Sequence, residues 1–133
     1  MAEWHPTHGR HILLDVWGVE PERLNDLESM QEAMLGAAAA AGATVVDSTF
    51  HRFPVQGLSG VVVLAESHIS VHTFPEHGYA AFDIFTCGNR VDPERACEHL
   101  VRCVNAEDSF TKRFVRGLQT GIEETTDLRA VSR

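Results

Sequence analysis

Apolar and polar positions change their period several times along the chain, and each change marks an element. His11 to Trp17 is a β-like apolar run closed by Gly18 and Pro21. Pro21 suits a first helical position, and Leu24, Leu27, Met30, Met34, Ala38 and Ala41 follow at three- and four-residue steps. That spacing predicts one helix with a single apolar stripe, stopped by Gly42. Ala43 to Phe50 is rich in β-branched residues and predicts a strand. His51 to Gly60 carries Gly and Pro and reads as a linking segment. Val61 to Ala65 is wholly apolar, the pattern of a strand buried on both faces, and leads straight into "ESHISVHTF", Glu66 to Phe74. Phe74 to Gly78 is turn chemistry, and Tyr79 to Cys87 is the return strand of a hairpin. Asp92 as N-cap, Pro93 at the first position and Glu94 in the first turn open a second helix, with Ala96, Leu100, Val101 and Val104 on its apolar face. Thr111 to Arg116 predicts a last strand at a sheet edge, and the polar tail from Gly117 predicts no element.

The order β-α-β-β-β-β-α-β, with hairpin-connected strands, indicates an α+β fold. It is expected to be a two-layer α/β sandwich, a mainly antiparallel sheet with helices on one face. A chain of 133 residues fits one core, so residues 1–133 form a single expected domain. The sheet face without helices needs a polar surface or a partner, which favours a homodimer.

Composition narrows the class. The apolar fraction of 44% and charged fraction of 23% are those of an ordinary globular protein. A net charge of −8 without a dense basic cluster argues against a nucleic-acid partner. No run reaches the roughly 18 apolar residues of a membrane span. Residues 1–8 have neither a basic nor an apolar leader region, and a cytoplasmic location is expected. Cys87, Cys97 and Cys103 form no C-x-x-C pair and read as reduced thiols.

The chemistry concentrates in "ESHISVHTF". Alternation puts Ser67, Ile69, Val71 and Thr73 on one face and His68, Ser70 and His72 on the other. With a turn over Pro75 to Gly78, Phe74 pairs with Tyr79 and the register sets Cys87 opposite Glu66. A thiol, a hydroxyl, a carboxylate and imidazoles therefore meet at one end of a hairpin. No metal site is expected. His68 and His72 stand roughly 13 Å apart on an extended strand, too far to share an ion. His5, His8 and His11, at three-residue steps, read as solvated, and His51 and His77 lie in turn-like stretches.

The segments "GATVVDSTFHRF" (42–53), "GLSGVVVLAESHISVHTFPE" (57–76) and "GYAAFDIFTCG" (78–88) together resemble the prokaryotic S-adenosylmethionine decarboxylase proenzymes. Gly9 to His11 and Val91 to Pro93 fit the same pattern, so the resemblance spans about residues 9 to 104. Phe74 departs from it, since many members carry Trp there; both are flat apolar rings, and the change bears on pocket shape.

The resemblance implies self-cleavage between Glu66 and Ser67, giving a 1–66 β chain and a 67–133 α chain. Ser67 would become a covalently bound pyruvoyl group that forms a Schiff base with the amine of S-adenosylmethionine, so that pyridoxal phosphate is not needed. It further implies His72 as the proton-transfer group of processing, Ser59 as a hydroxyl donor to the intermediate, and Cys87 as the proton donor in decarboxylation. A free imidazole pKa near 6.5 and a free thiol pKa near 8.5 suit those two tasks at neutral pH. Phe53, Phe74 and Glu76 would bind substrate, the rings against adenine and sulfonium and the carboxylate against ribose or the cation. The product would serve spermidine synthesis. A pyruvoyl decarboxylase of ornithine or arginine is the alternative, because the electron sink is indifferent to the side chain. An uncleaved binding protein of the same fold, or a thiol hydrolase using Cys87 with His72, explains fewer of these residues. Ser67 and His72 fall on opposite faces of a straight strand, so a bend at Glu66–Ser67 is expected to bring them together.

Overall fold

A computed structural model describes residues 6–128 of the chain; His5 lies outside them. The strands are β1 (Gly9–Trp17), β2 (Val45–Arg52), β3 (Leu58–Leu64), β4 (Ser67–Phe74), β5 (Tyr79–Cys87), β6 (Asp108–Leu118) and β7 (Gly121–Thr125). The helices are α1 (Pro21–Leu24), α2 (Leu27–Ala41) and α3 (Pro93–Val104). All described strand pairs are antiparallel, in the order β2-β3-β4-β5-β1-β6-β7. The two-layer α+β sandwich is therefore present, with a longer sheet than the sequence pattern indicates.

Inward side chains of the strands, such as Ile12, Leu14, Ile69, Val71, Phe82 and Ile84, are fully or almost fully buried against Met30, Met34 and Ala38 of α2 and Ala96 and Leu100 of α3. Each such large side chain contributes roughly 1.5–3 kcal/mol of transfer free energy. Small residues bring α2 close to α3: a Cβ at Gly36 would stand 2.5 Å from the His99 ring.

Five expectations change. The predicted single helix breaks at Asn25, because Asp26 accepts the Ser29 N–H and restarts the chain as the N-cap of α2. The linking segment contributes Leu58, Ser59 and Gly60 to β3. Val61 and Val63 are not buried on a second face; helices cover one face alone, and Val63 is exposed. Thr111 to Arg116 is not an edge, since β6 lies between β1 and β7, and the polar tail supplies β7. The alternating signal of that last strand is weak because its residues face exposed surroundings for most of their length.

Candidate functional site

Ala65 and Glu66 form a two-residue turn joining β3 to β4, so the Glu66–Ser67 peptide sits at a hairpin tip. Ser67 has φ 147°, a conformation that residues with a Cβ rarely adopt. Among described non-glycine residues only Asn105 shares a positive φ, and it caps α3, a position where asparagine is at ease. The expected irregularity thus exists, as a turn followed by a strained serine.

The hairpin register is as the turn chemistry predicts, with Phe74 facing Tyr79 and Ser67 facing Thr86. One step further, the Cys87 N–H donates to the Glu66 carbonyl at 2.7 Å. The Glu66 carboxylate accepts the Thr44 N–H at 3.1 Å and lies 3.7 Å from the Arg90 guanidinium. Behind this turn, buried Arg10 donates to the carbonyls of Gly88 and Val91 and holds the loop that leaves Cys87. Backbone, side chain and following loop therefore fix the carbonyl before Ser67 from three directions.

His68, Phe85 and Cys87 occupy the same end of the open face. Phe85 lies over Gly9, where a Cβ would stand 2.4 Å from its ring, so the glycine admits the ring. Arg116 stacks on the other side of this cluster, 4.7 Å from the Phe85 centroid, and donates to His11 Nδ1 at 3.2 Å. That donation leaves the proton of a neutral His11 on Nε2, which is 3.0 Å from Asp83 Oδ1. Ser70 completes the chain by donating to Asp83 at 3.4 Å. His68 meets Phe85 edge-on, and its pKa is lowered, first by burial and then by His11 and Arg116, with Asp83 opposing.

A second group stands at the other end of β4. Ser59 Oγ and His72 Nδ1 are 2.7 Å apart across the β3–β4 pair, at the rim of a cavity of about 310 Å³ that Phe50 and His51 also line. Phe74 stacks on Tyr79, and Tyr79 on Trp17. Glu76 accepts from Gln56 at 3.3 Å, and Phe53 sits edge-on to His51. Ser59, His72, Phe53, Phe74 and Glu76 share this end.

The two groups do not meet within the chain. Ser67 and His72 are five residues apart on one strand, about 16 Å at ~3.3 Å per residue. The turn at Glu66 reverses the chain before β4 begins, so it cannot fold Ser67 toward His72, and the expected bend does not unite them. Alternation places His68 on this face, but its neighbours His11, Asp83 and Arg116 come from other strands and escape a linear reading; the contact of Arg116 with His11 spans 105 residues. Of the three cysteines, all free, only Cys87 lies near Ser67. Cys97 is buried in α3, where burial pushes its thiol up to about 11.

Comparison with known proteins adds to this geometry. Residues 10–117 match the family described as S-adenosylmethionine decarboxylase, beyond residue 104 where the motifs end. The S-adenosylmethionine decarboxylase proenzyme of Syntrophomonas wolfei is 46% identical over 116 residues, 87% of this chain and 92% of that protein. The proenzyme of Pelotomaculum thermopropionicum is 44% identical over 122 residues, 90% of this chain and 97% of its own. The crystal structure of the adenosylmethionine decarboxylase from Aquifex aeolicus superposes with a TM-score of 0.79 at 36% identity, covering 92% of this chain and 99% of that one.

Proposed function

The chain belongs to the S-adenosylmethionine decarboxylase family and is a carboxy-lyase acting on S-adenosylmethionine, and we propose that its working form arises by self-cleavage between Glu66 and Ser67. The observation that carries this reading is the 2.7 Å hydrogen bond from the Cys87 N–H to the Glu66 carbonyl, beside a serine at φ 147°. When Ser67 Oγ adds to that carbonyl carbon, the oxygen becomes an anion already facing a fixed donor. The C–N bond then breaks to leave an ester. β-Elimination releases the Glu66 carboxylate and a dehydroalanine, whose imine tautomer takes up water and loses ammonia. The pyruvoyl group so formed supplies a carbonyl that condenses with the substrate amine and accepts the electrons freed as CO₂ departs.

Cys87, on the strand beside Ser67, would hand its thiol proton to the substrate α-carbon. Phe53 and Phe74 offer flat apolar walls for a nucleoside, and Glu76 a carboxylate for ribose or the sulfonium. The relatives named above all carry adenosylmethionine in their names, which favours it over ornithine or arginine. The product would be the aminopropyl donor for spermidine, made in the cytoplasm; among the described residues no helix is long and apolar enough to cross a membrane. Release of CO₂ from carboxyl-labelled S-adenosylmethionine, with none above background from ornithine or arginine, is the expected result. Comparable release from a basic amino acid would reverse the substrate assignment.

The separation of Ser67 from His72 argues for a homodimer whose sites are shared. The open sheet face exposes Leu13 and Phe74 at 42% each and Phe110 at 61%, apolar side chains that a second copy would cover. In a two-fold pair, each patch meets its counterpart reciprocally. With the strands antiparallel across the interface, Ser67 and Cys87 of one copy would face Ser59, His72, Phe53, Phe74 and Glu76 of the other, and two equal sites would form. Mixing two defective chains tests this arrangement. His72→Ala is expected to cleave poorly alone, Ser67→Ala not at all, and co-expression should restore cleavage of the His72→Ala chain. Mixed dimers that form without restoring cleavage would rule out shared sites.

A further inference from the structure

The first step of self-cleavage needs a group that takes the proton of Ser67 Oγ, and His72 of the same chain stands about 16 Å away along the strand. His68 Nδ1 lies 3.5 Å from Ser67 Oγ. Neighbouring side chains on a regular strand point apart, but the positive φ of Ser67 breaks that alternation and turns its hydroxyl toward the imidazole. A contact of this length in a resting site shortens as the reacting atoms approach. We propose that His68 is a catalytic residue of self-cleavage: it takes the Ser67 Oγ proton as Oγ adds to the Glu66 carbonyl, and returns it to the Ser67 nitrogen as the peptide C–N bond breaks.

The step balances without any other reactant. The O–H and C–N bonds break, the O–C and N–H bonds form, nothing is oxidised, and the imidazole ends as it began. The surroundings keep it a neutral base. From β5, Phe85 presents its ring and Asp83 its carboxylate; from β1 comes His11 and from β6 the Arg116 guanidinium; from β3 the opposite residue is Val63. Burial first, then His11 and Arg116, outweigh Asp83 and lower the His68 pKa, which favours the neutral imidazole with one ring nitrogen free to accept a proton. His72 then remains free for the later proton transfers.

The inference rests on the self-cleavage reading, and the experiment separates the two. The whole chain is synthesised in a cell-free system and its cleavage followed with time, with hydroxylamine added to release any ester. His68→Ala, in protein with wild-type circular dichroism, is expected to cleave about 100-fold more slowly. It should yield no hydroxylamine-released fragment, because the block precedes the ester, and added imidazole should restore cleavage. His68→Gln keeps a polar side chain of similar reach without a base and should be blocked in the same way; it carries the test if the alanine variant misfolds. Wild-type cleavage by the glutamine variant, an ester trapped in a folded variant, or a block in folded His68→Ala that imidazole does not relieve would overturn the role of His68. A wild-type chain that never cleaves would instead overturn the self-cleavage reading beneath it.

Discussion

Ser67→Ala is expected to give one full-length species in denaturing mass spectrometry, where the wild type gives two fragments of 66 and 67 residues. The wild-type C-terminal fragment should be lighter by one ammonia than a chain beginning with serine, the mark of a pyruvoyl end. The substitution removes only the nucleophile. Alanine keeps the Cβ and therefore the same backbone demands at φ 147°, and the Glu66 carbonyl keeps its bond to the Cys87 N–H. An amide held by a donor but facing no hydroxyl has no intramolecular path to an ester, so cleavage should disappear rather than slow. Decarboxylation should vanish with it, because no other residue supplies the carbonyl. Fragmentation of Ser67→Ala at the same bond, or an intact wild-type chain, would refute the assignment.

Cys87→Ala is expected to split the two reactions that Ser67→Ala loses together. The donor facing the Glu66 carbonyl is the backbone N–H of residue 87, which alanine retains, so self-cleavage should proceed at close to the wild-type rate. Decarboxylation should fall by roughly 10²–10⁴-fold, the usual contribution of a positioned general acid. Neither remaining thiol can substitute: Cys97 is buried with a pKa near 11, and Cys103 lies on α3, across the sheet from the open face. CO₂ release normalised to the amount of pyruvoyl chain measures the loss. Normal turnover with impaired cleavage would reverse the roles, making Cys87 a processing residue.

These two variants probe a hairpin that short-range patterns encode well. Alternation assigned Ile69, Val71 and Thr73 to the core face, and Pro75 to Gly78 set the register that brings Cys87 to Glu66. Caps at Asp92 and Gly42 likewise act within a few residues, and both helix ends fall where these residues stand. The same local rules conflict at Asn25 and Asp26, where an apolar stripe continues in sequence but the Asp26 carboxylate, accepting from Ser29, stabilises a fresh helix start.

Neighbour choice among strands follows different physics. Burial of Ile12, Leu14 and Val16 on the helix-covered face, against α3, goes with the place of β1 between β5 and β6, and no residue near His11 encodes Asp83 or Arg116 as its partner. That insertion creates the Phe85 cluster and sets the surroundings of His68. The amino-acid sequence marked candidate residues for the chemistry, because motif and period are local. Folding settled that Ser67 and His72 stand at opposite ends of one strand, because the turn at Glu66 spends its reversal on joining β3 to β4. A strand of fixed rise then keeps the two about 16 Å apart within one chain.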